Sequence, residues 1–144
     1  MSVITSDFVA ARADLVARPG FGPGRRHALT GLTDDWLKEL VSESGALDLG
    51  CTLVAIGGYG RGELAPASDL DLLLLHPSSV AAGEVAAVAD KVWYPIWDSG
   101  IRLDHTVPTP TQARRCAGQD IKVVLGLLDA RTVAGDDRLT VETR

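Results

Sequence analysis

"GGYGRGELAPASDLDLLLLHP", residues 57–77, is the stretch on which the reading of this chain turns. Gly57, Gly58, Gly60 and Gly62 crowd one turn, and Asp69 and Asp71 then bracket a single leucine before an aliphatic run at 72–75. Clustered glycines cost backbone entropy, and acids that run into an apolar strand cost desolvation. Something must offset both.

The segment is framed by two strands. "CTLVAI" (51–56) is short, apolar and bounded by glycines, and "DLDLLLLH" (69–76) has the same character. Residues i and i+2 of a strand share a face, about 6.5–7 Å apart along the chain. Asp69 and Asp71 therefore aim at one place, while Leu70 and Leu72 point into the core behind them. Two unpaired carboxylates so placed repel each other. A divalent cation relieves that repulsion, and an all-oxygen donor set favours Mg²⁺ or Mn²⁺ over zinc.

The glycines match neither common nucleotide loop. No Gly-Lys-Ser/Thr follows them, and Glu63 stands where a dinucleotide-binding turn would need its third glycine. Gly57-Gly58 directly after a strand leaves backbone N–H groups free to cradle phosphate oxygens, with Arg61 adding charge; Ser68 is expected to cap the turn into the next strand, its hydroxyl also within reach of a phosphate. A D-x-D before an aliphatic strand often marks only a solvated strand end, and a glycine cluster alone means less. Together, at strand boundaries ten residues apart, they describe a phosphate cradle beside a metal pair. That is the layout of metal-assisted in-line displacement on a triphosphate.

The rest of the chain supplies a scaffold. Ser6 is expected to cap a helix running to about Ala17, "RPGFGPG" (18–24) to break it, and Thr33 to cap a further helix whose apolar face is Trp36, Leu37, Leu40 and Val41, with Gly45 just past its end. Asp34 and Asp35 then suit that helix's dipole. A helix is expected over 80–97, bent or ended by Pro95, then a strand over 100–107 and helices from Thr109 or Thr111 and over 119–131. An edge strand falls near 132–134 or 139–141. Strands alternating with helices predict an α/β (α+β) domain, residues 46–144, behind an N-terminal helical segment, residues 1–45.

Composition narrows the function classes. The net charge is −5 with no basic run, which argues against long nucleic acids as partners. Cys51 and Cys116 are far apart and outside any C-x-x-C pattern, so neither a disulfide framework nor a zinc site is expected. No continuous apolar segment approaches a membrane span, and the chain reads as cytoplasmic.

"GGYGRGEL…SDLDLLLL" resembles the motif of the nucleotidyltransferase superfamily, the DNA polymerase β-like enzymes. With the flanking "PGFGPGRR", "WDSG", "DHTV" and "LLDARTVAGD" it looks like the N-terminal catalytic domain of the protein-PII uridylyltransferase/uridylyl-removing family. The resemblance implies a small mixed sheet flanked by helices. It implies Mg²⁺ or Mn²⁺ on Asp69 and Asp71, phosphates at Gly57 and Gly58, and an NTP donor (UTP or ATP). The acceptor would be a tyrosyl hydroxyl of a PII-type signalling protein, and the chain a fragment of a longer multidomain protein. The family places a third carboxylate on the next strand, at a glutamate where this chain has Arg102. Asp104, two residues on and on the same face, is the expected substitute. A stand-alone transferase with a small-molecule or RNA acceptor, and a nucleotide-sensing module without chemistry, are the alternatives.

Overall fold

Along the computed structural model, which describes residues 1–20 and 22–143, the chain opens with two helices, α1 (Val3–Ala17) and α2 (Pro23–Ser44). A 3₁₀ turn (Leu47–Leu49) leads into β1 (Thr52–Ala55), the one-turn helix α3 (Gly57–Gly60) and β2 (Leu70–Leu75). Then come α4 (Ala82–Asp98), β3 (Leu103–Thr106), α5 (Pro110–Ala117), α6 (Ile121–Leu128), β4 (Arg131–Ala134) and α7 (Asp137–Thr143). Phe21 of the expected break and Arg144 lie outside the described residues.

The strands form one mixed sheet in the order β3-β2-β1-β4. β1 pairs antiparallel with both β2 and β4, whereas β2 and β3 are parallel and joined by the α4 crossover that parallel neighbours require. The fourth strand is the first of the two expected candidates; residues 139–141 belong to α7 instead.

The leucine run explains why β2 is central. Leu72 and Leu74 are buried with Leu53, Trp36 and Val92 on one face, while Leu73 and Leu75 are buried with Val54, Ala113 and Leu127 on the other. A strand covered on both faces reads as continuous apolar sequence rather than as an alternation. Full burial of each leucine contributes about 1.5–3 kcal/mol of transfer free energy. The first residues of β2 escape this double cover, which leaves Asp71 partly open.

Two helix starts differ from expectation. Ser2, not Ser6, caps α1, its Oγ accepting from the Thr5 N–H at 3.3 Å. Thr33 caps nothing: it is buried inside α2, and its hydroxyl donates to the Leu29 carbonyl one turn back at 2.8 Å. A buried threonine satisfied in this way need not interrupt a helix. The apolar face from Leu29 to Val41 carries α2 straight through. Phe8 stacks on Trp36 with ring centroids 3.9 Å apart and so locks α1 onto α2. Gly45 ends α2 in the left-handed conformation, and Thr109 caps α5 in a full capping box with Gln112, both as expected. Pro95 sits inside α4, which ends at Asp98, three residues later. Trp93 is core, whereas Tyr94 and Trp97 are largely exposed. Among the described residues no helix is long and apolar enough to cross a membrane.

Candidate functional site

The parallel register of β2 and β3 sets Asp71 directly opposite Asp104. One step back the Leu70 N–H donates to the Arg102 carbonyl at 2.9 Å, and the Arg102 guanidinium reaches Asp69, with Nε 2.9 Å from Oδ1. The open face of these two strands thus carries Asp69 beside Arg102 and Asp71 beside Asp104. Burial, then the negative charge of Asp104, then that of Asp69, hold the Asp71 carboxyl above the usual carboxylate range. Of the two neighbouring acids Asp104 weighs more on Asp71 than Asp69 does, and Asp69, expected to be unpaired, is engaged by Arg102.

Among the described residues no three His, Cys, Asp or Glu side chains are already gathered into a cation cage. Asp69 is engaged by Arg102 instead. The donor chemistry nevertheless fits a hard divalent cation, because a partly buried carboxylate repelled by an exposed one beside it is what such an ion stabilises.

The glycine turn lies against this pair. Gly57 has φ +59°, and a Cβ there would come within 3.0 Å of Asp71 Oδ2, so the turn can approach the carboxylate only as glycine. α3 starts at Gly57, and its first N–H groups, like those of any helix, have no partner within the helix. Gly60 packs backbone on backbone: a Cβ would sit 2.2 Å from the Asp129 carbonyl oxygen and 2.9 Å from that of Ala55.

Turn and carboxylates open into a cleft of about 910 Å³, whose lining includes Gly57, Arg61, Asp71, Asp104 and Lys122. α6 forms much of its other wall, where Leu125 and Leu128 are largely exposed. Arg61 is clamped from two sides, Nε to Glu63 at 3.1 Å and Nη1 to Asp129 at 2.8 Å. Ser68 closes the turn before β2, accepting from the Ala65 N–H at 3.1 Å, and lines a separate shallow depression with Arg12 and Arg102. His105 packs its ring against Trp93 and Trp97, centroids 4.9 and 5.3 Å away, as a structural side chain.

Two supporting groups escape a reading of local sequence. Asp129 anchors Arg61 from 68 positions away. Asp34 does not serve a helix dipole, because α2 begins at Pro23 and Asp34 lies in its interior; it accepts from the Tyr59 hydroxyl at 2.5 Å and forms an ion pair with Arg131 at 2.8 Å. Arg131 also donates to the carbonyls of Tyr59 and Gly60, tying α2, α3 and β4 together behind the turn. Burial foremost, and then Asp34, raise the Tyr59 hydroxyl pKa far above its ordinary value, so it remains a donor. Asp34→Ala leaves the Arg131 charge and the Tyr59 hydroxyl unpaired. It should destabilise the chain by about 2–3 kcal/mol, below the 3–5 kcal/mol of a fully buried pair, because Arg131 is one-third exposed. Chemical denaturation reads this as a lower midpoint at unchanged slope.

A family model described as "Nucleotidyltransferase domain" matches residues 35–124, well over half of the chain. The chain belongs to the nucleotidyltransferase domain family. This nucleotidyltransferase domain is 56% identical over 138 residues to the bifunctional uridylyltransferase/uridylyl-removing enzyme of Streptomyces coelicolor, covering 95% of the chain and 16% of that enzyme. It is 42% identical over 139 residues to the enzyme of the same name from Mycobacterium tuberculosis, covering 94% and 17%. Against that of Corynebacterium glutamicum it is 42% identical over 115 residues, covering 78% and 16%. It therefore spans about a sixth of the length of these relatives.

Proposed function

We propose that this domain transfers UMP from UTP to a tyrosyl hydroxyl of a PII-type protein in the cytoplasm, releasing pyrophosphate. The observation that carries the reading is the side-by-side placement of Asp71 and Asp104 across β2 and β3, with Gly57 packed directly on Asp71. The names of the relatives support uridylyl over adenylyl transfer.

In this reading the N–H groups of Gly57 and Gly58 and the guanidinium of Arg61 hold the triphosphate in the cleft. Glu63 and Asp129 keep Arg61 extended, so little conformational entropy is lost when phosphate arrives. Asp71, Asp104 and Asp69 are the groups that would hold Mg²⁺ or Mn²⁺. When bound, the cation supplies Lewis-acid polarisation of the α-phosphoryl group and neutralises charge on the pyrophosphate leaving group. In this reading Asp104, on the outer of the two strands, accepts the proton of the incoming hydroxyl.

The test is label transfer. The protein is mixed with a PII-type protein, Mg²⁺ and α-labelled UTP or ATP in parallel. Label on the acceptor from UTP alone is the expected result. Label from ATP alone would reassign the donor, and nucleotide binding with no transfer from either would reassign the domain to nucleotide sensing.

A further inference from the structure

The open face of β2 and β3 holds three carboxylates and one guanidinium, and the guanidinium is committed to one carboxylate. Arg102 Nε lies 2.9 Å from Asp69 Oδ1, and its Nη2 donates to the Ala67 carbonyl at 3.2 Å, so the arginine bridges the β2 entry turn and the carboxylate. Asp71 and Asp104, two residues further along the same two strands, form no ion pair among the described residues. The face is therefore divided: one acid neutralised by the protein itself, two left to repel each other.

We propose that Arg102 is an internal counter-cation that holds Asp69 away from the Asp71–Asp104 pair, so that a divalent ion binds first to two carboxylates and gains the third only by displacing the guanidinium. This rests on the reading of these acids as a cation site. The charge argument is direct. A fixed positive charge one residue-step from the ion opposes its binding electrostatically, and the Asp69 pair must open before that carboxylate can serve as a ligand. Both groups are half or more exposed, Arg102 at 77% and Asp69 at 50%, so water and salt attenuate the effect without removing it. Arg102 thus acts as a positioning residue, weakening resting cation occupancy.

Mn²⁺ binding to the 144-residue chain, followed by electron paramagnetic resonance without nucleotide, tests this independently of activity. Arg102→Ala and Arg102→Gln should each bind Mn²⁺ about three- to tenfold more tightly than the unaltered chain at low salt, with the gain shrinking in 0.5 M NaCl. Arg102→Lys, which keeps the charge, should recover most of the weaker affinity. Arg102 is exposed, so these variants should fold as the unaltered chain does, and circular dichroism checks it. Equal affinity in the unaltered, Ala and Gln chains, with binding lost in Asp71→Asn, would overturn the role of Arg102 while leaving the cation site standing. Absence of Mn²⁺ binding, or binding indifferent to Asp71→Asn, would overturn both.

Discussion

Asp71→Asn is expected to lower kcat/KM for nucleotidyl transfer by about a thousandfold or more, and at the same time to raise the melting temperature of the cation-free chain. On the proposed reading, the loss follows from removing a central cation ligand. Charge stabilisation by a bound metal supplies several kcal/mol to a phosphoryl-type transition state, and each 1.36 kcal/mol is tenfold in rate. The gain in stability follows from the same carboxylate. It is partly buried and faces Asp104 and Asp69, and its pKa is raised in the fold. A carboxyl whose folded pKa exceeds its unfolded value favours the folded state while protonated. That contribution is lost as pH rises through the folded pKa, so at pH 7 the charged Asp71 costs stability. Asparagine removes the charge with nearly the same shape, and a rise of about 1–3 °C in Tm is expected with chelator present. The rise should shrink as pH falls towards the folded pKa, where protonation relieves the unaltered chain too. Scanning calorimetry with chelator and with Mn²⁺ checks both halves: Mn²⁺ should raise the Tm of the unaltered chain and leave that of the variant unmoved. Lower stability in the variant under chelator would contradict the repulsion.

Gly60→Ala is expected to destabilise the chain by about 3 kcal/mol, a fall of roughly 10 °C in Tm. The added methyl meets the Asp129 carbonyl at 2.2 Å and the Ala55 carbonyl at 2.9 Å, and neither can rotate away because both are backbone. One of them has to move. Ala55 is held in the middle of the sheet by β2 and β4, so displacement falls on the α6–β4 connection that carries Asp129. Asp129 clamps Arg61, so on the proposed reading of Arg61 as a phosphate contact the variant should also bind UTP more weakly, by about three- to tenfold for one loosened charge-assisted contact. Gly62→Ala is the informative control. Unlike Gly60 it has positive φ, +74°, and its Cβ would meet His27 Nδ1 at 4.0 Å and nothing nearer. It should cost only the left-handed backbone penalty of about 1–2 kcal/mol. Thermal melts of the two variants side by side separate collision from conformation; equal losses would refute the collision.

The strand–turn–strand unit, the shared face of Asp69 and Asp71, and the burial of Leu70 and Leu72 follow from local sequence. Strand alternation and the break at clustered glycines act over two to five residues and need no distant partner. The helices at 82–98 and 110–117 were legible for the same reason, through apolar spacing and a threonine cap. Where local signals competed with burial, burial prevailed. Thr33 has the chemistry of a cap, yet the continuous apolar face of α2 keeps it helical and its hydroxyl turns inward to Leu29.

What tertiary structure alone decided is who meets whom. Asp104 stands opposite Asp71 because packing on both sheet faces sets the β2–β3 register, and a shift of one residue would turn Asp104 away. Arg102 takes Asp69, Asp129 takes Arg61 and Asp34 takes Arg131, across 33, 68 and 97 positions of chain. Charges choose partners by distance in space, and that distance exists only once the two layers of helices have closed on the sheet.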